Sequence, residues 1–111
     1  MNEPNDLVEI EINLNMKKEG LLNETGLAAF GGQIQLMLQG MFGAGRMPPV
    51  RIKGSRSQVD LFKSALAEEG KYLLAMKKYG LDNEKTYRNK SSLDRAIKNF
   101  ERATGIKWPF A

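Results

Sequence analysis

Val50-Arg51-Ile52-Lys53-Gly54-Ser55-Arg56-Ser57-Gln58-Val59 is the stretch on which the fold turns. Val50 and Ile52 alternate with Arg51 and Lys53, the period-two pattern of a short strand with one wet face. Gly54 stops that strand and allows a tight turn. Ser55 and Gln58 then match the S-x-x-Q capping box that opens a helix. Downstream, Val59, Phe62, Leu66, Leu73 and Met76 form an apolar stripe flanked by Leu61, Ala65 and Tyr72. Gly70 weakens the middle of this helix. Lys77 and Lys78 suit its negative end, and Gly80 offers a left-handed stop. The pattern predicts a helix over Arg56–Tyr79.

Upstream, Val8-Glu9-Ile10-Glu11-Ile12-Asn13-Leu14 alternates in the same way and predicts a second strand. Its acidic face also discourages edge-to-edge pairing. Residues 16–23 read as a polar connection. Leu27, Phe30, Ile34, Met37, Leu38 and Met41 then recur at helical spacing, with Thr25 as the expected N-cap. Gly31 and Gly32 leave two readings open. Either the helix starts only after Gly32, or the glycines let another part of the backbone come close. Residues 40–49, with three glycines and two prolines, read as a loop.

On the C-terminal side, residues 81–90 read as a polar loop. Ser91 or Ser92 is the expected cap of a last helix carrying Leu93, Ala96, Ile97 and Phe100, with Gly105 as its stop. Ile106-Lys107-Trp108-Pro109-Phe110 reads as a plug over the core. The expected fold is therefore α+β, a helix-dominated β-α-β-α-α single domain over residues 1–111, with residues 1–5 a flexible start. A sheet of only two strands is marginal, so helices must cover it or a second copy must complete it as a homo-oligomer. At 111 residues the chain has room for one modest core, burying roughly 60–68% of its unfolded surface.

Composition removes much chemistry. The chain has no cysteine and no histidine. Disulfides, zinc fingers, haem and iron–sulfur ligation, thiol nucleophiles and Ser-His-Asp mechanisms are excluded with them. Gly43-Ala44-Gly45 fails the dinucleotide pattern, since Pro48 stands at its third glycine, and no Walker sequence is present. Asp82-Asn83-Glu84 fails as a calcium loop, with Tyr87 where glycine is required and Leu93 where the bidentate Glu belongs. Glu68 and Glu69 are adjacent on a helix and diverge by about 100°, so they form no dyad and read as solvent-facing. No enzyme, no cofactor and no metal is expected. The start is polar and acidic, unlike a signal peptide, and no stretch approaches the ~18 apolar residues of a membrane helix. An intracellular protein with no membrane partner is the expectation.

Charge is unevenly distributed. Residues 1–45 carry net −4 and residues 46–111 carry net +8, giving the formal +4 of the whole. An acidic partner for the second half, self-association, or a merely solvated face would each account for this. The strand-to-helix junction is the first candidate site: Arg51 and Lys53 share a strand face, and Gly54, Ser55 and Arg56 lead into free helix N–H groups. That is an anion cradle or plain capping. Lys85, Arg88 and Lys90 around Tyr87 form a second group. Arg95, Lys98 and Arg102 follow at helical spacing in one basic stripe. Basic residues around an aromatic suit nucleic-acid phosphate contact without base readout. Met41, Phe42 and Met47 are either protein contacts or packed beneath their loop.

Val50 to Phe110 resembles small uncharacterised proteins encoded by tailed bacteriophages. The residues behind this are Arg51-Ile52-Lys53-Gly54-Ser55, Tyr79-Gly80-Leu81-Asp82-Asn83, and Phe100-Glu101-Arg102-Ala103-Thr104-Gly105-Ile106-Lys107-Trp108-Pro109-Phe110. The resemblance implies a viral accessory or virion protein that works by binding, in the host cytoplasm or the virion, and assigns no residue a role. Two functions are expected from this material. The first is a non-enzymatic protein whose basic half engages nucleic acid. The alternative is a protein-binding or assembly module, a virion component or host-enzyme inhibitor, contacting an acidic protein surface.

Overall fold

The computed structural model describes residues 9–42 and 49–110. Five elements follow in the order β1 (Ile10–Asn13), α1 (Glu24–Phe42), β2 (Val50–Lys53), α2 (Arg56–Tyr79) and α3 (Glu84–Thr104). β1 and β2 pair in parallel, Ile10 opposite Val50 and Asn13 opposite Lys53. Parallel partners need a crossover, and α1 supplies it. Flanking bonds extend the ladder, from Ile10 N to Pro49 O and from Leu14 N to Lys53 O, both 2.8 Å. The fold is α+β, as the alternation and helical stripes predict.

α2 has the predicted bounds. Ser55 Oγ accepts from Gln58 N at 3.1 Å, and Gln58 Oε1 accepts from Ser55 N at 2.9 Å, completing the capping box. Gly54 is needed for close approach: a Cβ there would lie 3.0 Å from both Leu14 Cβ and Gln58 Oε1.

Several expected boundaries are corrected. α1 begins at Glu24, and its cap is Asn23, not Thr25: Asn23 Oδ1 accepts from Gly26 N at 2.8 Å. Gly31 and Gly32 lie inside α1, which continues through Gly40 and Met41 to Phe42, so the loop begins later than residue 40. A Cβ on Gly31 would meet Pro109 at 3.4 Å, ordinary contact, and one on Gly32 would meet nothing within 4 Å. Most of 81–90 is helix rather than loop. α3 starts at Glu84 with Asn83, not Ser91 or Ser92, as its cap, Asn83 Oδ1 accepting from Lys85 N at 2.9 Å. Residues 84–90 hold no glycine or proline to interrupt the helix, and Arg88 bonds Glu84 one turn back at 2.6 Å. Gly105 ends α3 in the left-handed conformation, and Gly80 ends α2 at φ 82 with an extended ψ of 175. The start of the 8–14 strand and the centre of the 40–49 loop lie outside the described residues.

One hydrophobic cluster draws on β1, α1, α2 and α3, with Val50 and Ile52 of β2 packed against it and Leu14, Met16, Ile106 and Trp108 beyond the elements. Its centre is four rings: Phe30 of α1, Phe62 of α2, Phe100 of α3 and Trp108. All six pairs among them have centroids 5.4–6.4 Å apart. Trp108 is 3% exposed, so the tail is the plug that its aromatic content predicts. Two carboxylates hold it. Its backbone N donates to Glu101 Oε2, and its indole Nε1 donates to Glu69 Oε1, each at 2.8 Å.

Glu69 is thus a correction. It is buried on α2 at 3% exposure rather than solvent-facing. Spacing explains it: Glu69 falls seven residues after Phe62 and three after Leu66, on the core side of the stripe. Burial pushes its carboxyl above the ordinary value, opposed by the Trp108 hydrogen bond and the positive charge of Lys90. A folded-state value above the unfolded one makes this group most favourable when protonated. Its contribution therefore declines as pH rises through the folded value. Thr86 is also buried. Its hydroxyl donates to Gly80 O at 2.7 Å and closes the α2–α3 turn.

Two stability outcomes follow. Trp108→Ala should cost about 3–5 kcal/mol in urea unfolding, as large aromatic core truncations do; a loss within ~0.5 kcal/mol would mean the tail is not part of the core. Gly32→Ala, placed in open space inside a helix, should raise stability by about 0.5–1 kcal/mol, read as a higher melting temperature.

Candidate nucleic-acid interface

The basic residues divide by what already neutralises them. Arg51 and Lys53 sit exposed on the outer face of β2, opposite Glu11 and Asn13 of β1. Arg51 Nη2 lies 3.5 Å from Glu9 Oε2. Lys53 Nζ lies 2.7 Å from Glu19 Oε2, while Glu19 Oε1 accepts from Asn13 Nδ2 at 2.8 Å. The Lys53 hydrogen bond holds the Glu19 carboxyl below its ordinary value, and the same bond raises Lys53. Glu9 just before β1 and Glu19 in the turn after it thus pair with the basic face of β2, with Glu11 set opposite Arg51 in the register.

At the junction, Ser55 and Gln58 spend their side chains on each other, and Gly54 makes room for Leu14. Arg56 is exposed at the first position of α2. The geometry of Gly54 and Ser55 is therefore that of a capped helix start.

In the second group, Lys85 stands 4.8 Å over the Tyr79 ring and Lys90 bonds Asp94 at 2.6 Å. Arg88 bonds Glu84 at 2.6 Å. Tyr87 is exposed, and its hydroxyl donates to Asp82 Oδ1 at 3.2 Å, which pushes the phenol upward.

Arg95, Lys98 and Arg102 differ. All three are exposed on α3, opposite the buried line of Leu93, Ile97 and Phe100. None has an ion-pair or hydrogen-bond partner among the described residues. Arg88, Arg95 and Arg102 are spaced by seven, so they fall nearly in line, roughly 10 Å apart along the axis. A shallow depression of about 230 Å³ beside Arg95 is lined by Ser64, Glu68, Ser92 and Asn99. Asn99 also borders the next depression, about 280 Å³, together with Leu61 and Arg102. Exposed cations beside hydroxyl and amide groups are the chemistry of phosphate contact, with Glu68 placing one carboxylate at the same depression. The structure thus joins Arg88, Arg95, Lys98 and Arg102 on one helix; Arg88, like Arg51 and Lys53, has a carboxylate partner, whereas Arg95, Lys98 and Arg102 have none among the described residues.

Met41 is exposed near the end of α1, while the Phe42 side chain and Met47 lie outside the described residues. Among the described residues no helix is long and apolar enough to cross a membrane, and no three acidic residues are grouped to hold a metal ion.

The Ser55 geometry is checked by Ser55→Ala. Loss of the cap should lower stability by about 1 kcal/mol, while binding to a polyanion at a temperature where both proteins are folded should stay unchanged. Weaker binding at equal foldedness would restore the anion cradle. No protein-family model, no curated protein and no solved structure matches this chain.

Proposed function

We propose that this chain is a non-enzymatic binding protein that engages the phosphate backbone of nucleic acid through the outer face of α3. The observation that carries this reading is the set of exposed cations Arg95, Lys98 and Arg102, unpaired among the described residues, on one helix face, with Arg88, itself paired with Glu84, further along it. Such a face attracts phosphate without reading bases, so affinity should depend little on sequence and steeply on salt. The resemblance of residues 50–110 to small phage proteins supports a viral accessory role.

The second reading, a protein-binding or assembly module, has exposed Met41 in its favour. Salt separates the two, because contacts through apolar surface respond weakly to ionic strength.

The test is an electrophoretic shift titration with DNA and RNA fragments of unrelated sequence at low and moderate salt. Arg95→Glu with Lys98→Glu should weaken binding to every fragment and reduce the salt slope by about one for each phosphate no longer engaged. The variant should melt like the parent, since both side chains are exposed and unpaired among the described residues. Absence of any shift by the parent at low salt would end the nucleic-acid reading.

A further inference from the structure

A groove of about 590 Å³ runs between the later halves of α1 and α2, within the ~300–1,000 Å³ range of small-molecule sites. Leu38, Leu73 and Met76 give it apolar walls, and the rings of Tyr72 and Phe110 border it. None of Arg88, Arg95, Lys98 and Arg102 lines it, so it is separate from the α3 face.

Among the described residues its single carboxylate is Glu69. Trp108 uses Oε1, while Oε2 has no hydrogen-bond or ion-pair partner among the described residues. Lys90, the cation of α3 whose field reaches Glu69, is itself bonded to Asp94 at 2.6 Å. A buried tryptophan needs an acceptor for its one N–H, and a glutamine would provide that without a charge. Keeping a desolvated carboxylate at the edge of an open apolar groove is costly. Perturbed, buried ionisable groups beside clefts are where ligands are bound. Lys90 Nζ already lies 6.0 Å over the Tyr72 ring, so that ring takes a cation, and the Phe110 ring offers a further face at the groove.

We propose that this groove binds a small organic cation, a protonated amine carried on an apolar or aromatic body. The ammonium lies on the Glu69 carboxylate near the Tyr72 and Phe110 rings, and the body packs against Leu38, Leu73 and Met76. Gln35 and Gln39 on the α1 side add amide carbonyl acceptors for remaining N–H groups.

The probes are 2-phenylethylamine, its neutral analogue 2-phenylethanol and the anion 3-phenylpropionate. The readout is the indole N–H resonance of Trp108, the single tryptophan, in 15N–1H NMR spectra of the full chain. The amine should shift it saturably, with a Kd of ~1 mM or tighter. The alcohol should bind about tenfold more weakly, the worth of a charge-assisted hydrogen bond, and the anion weaker still. Glu69→Gln, which retains an acceptor for Trp108, should remove the preference for amine over alcohol. Met76→Lys, which brings a tethered ammonium into the groove, should block the amine and keeps the question answerable if Glu69→Gln does not fold. No saturable shift with the amine, equal binding of amine and alcohol, or unchanged amine binding in either folded variant would overturn the proposal.

Discussion

Phe30, Phe62, Phe100 and Trp108 come from three helices and the segment after the last of them, and every pair is in ring contact. A two-stranded sheet cannot hold three helices in place by itself. The quartet does so, because each ring contributes apolar burial, with five of the six pairs tilted or edge-on and Phe30 stacked on Phe100. Glu69 and Glu101 fix the Trp108 indole and backbone from two different helices. α1, α2, α3 and the tail are therefore registered against one another at a single point.

Much of this is legible in the residues alone. The capping box marks the start of α2, and the two period-two segments locate both strands. The departures have physical reasons. Asn83 is hidden as a cap because polar residues 81–90 lack an apolar stripe, yet a helix needs no stripe where Thr86 alone faces inward and ion pairs at i,i+4 occupy the rest. Two glycines in succession argue against an early start to α1, but packing of Phe30 and Ile34 outweighs the propensity cost. The chemistry of Glu69 points outward while its position points inward, and position prevails. The signal is present: a buried indole requires an acceptor, and residue 69 is the acidic position on the core line of α2.

Of the candidate interface, the helical spacing of Arg95, Lys98 and Arg102 is legible in full. The pairing of Arg51 and Lys53 is not, although one strand carries alternating acids and the other alternating bases. That match becomes visible only with the parallel register that sets Glu11 against Arg51. The charge asymmetry between the halves of the chain is thus partly internal. The surplus that β1 and Glu19 do not absorb lies in the helices that follow.

Trp108 stands 78 residues after Phe30 and 46 after Phe62, and this bears on synthesis. A ribosome makes Phe30 and Phe62 well before Phe100 and Trp108, which follow within eight residues of each other, so the first two rings wait for the pair that completes the core. α2 and α3, joined by a short turn with Thr86 closing it, are able to dock early through local contacts. An α2–α3 hairpin formed ahead of Trp108 leaves open to solvent the apolar flank that the segment after α3 covers in the folded protein.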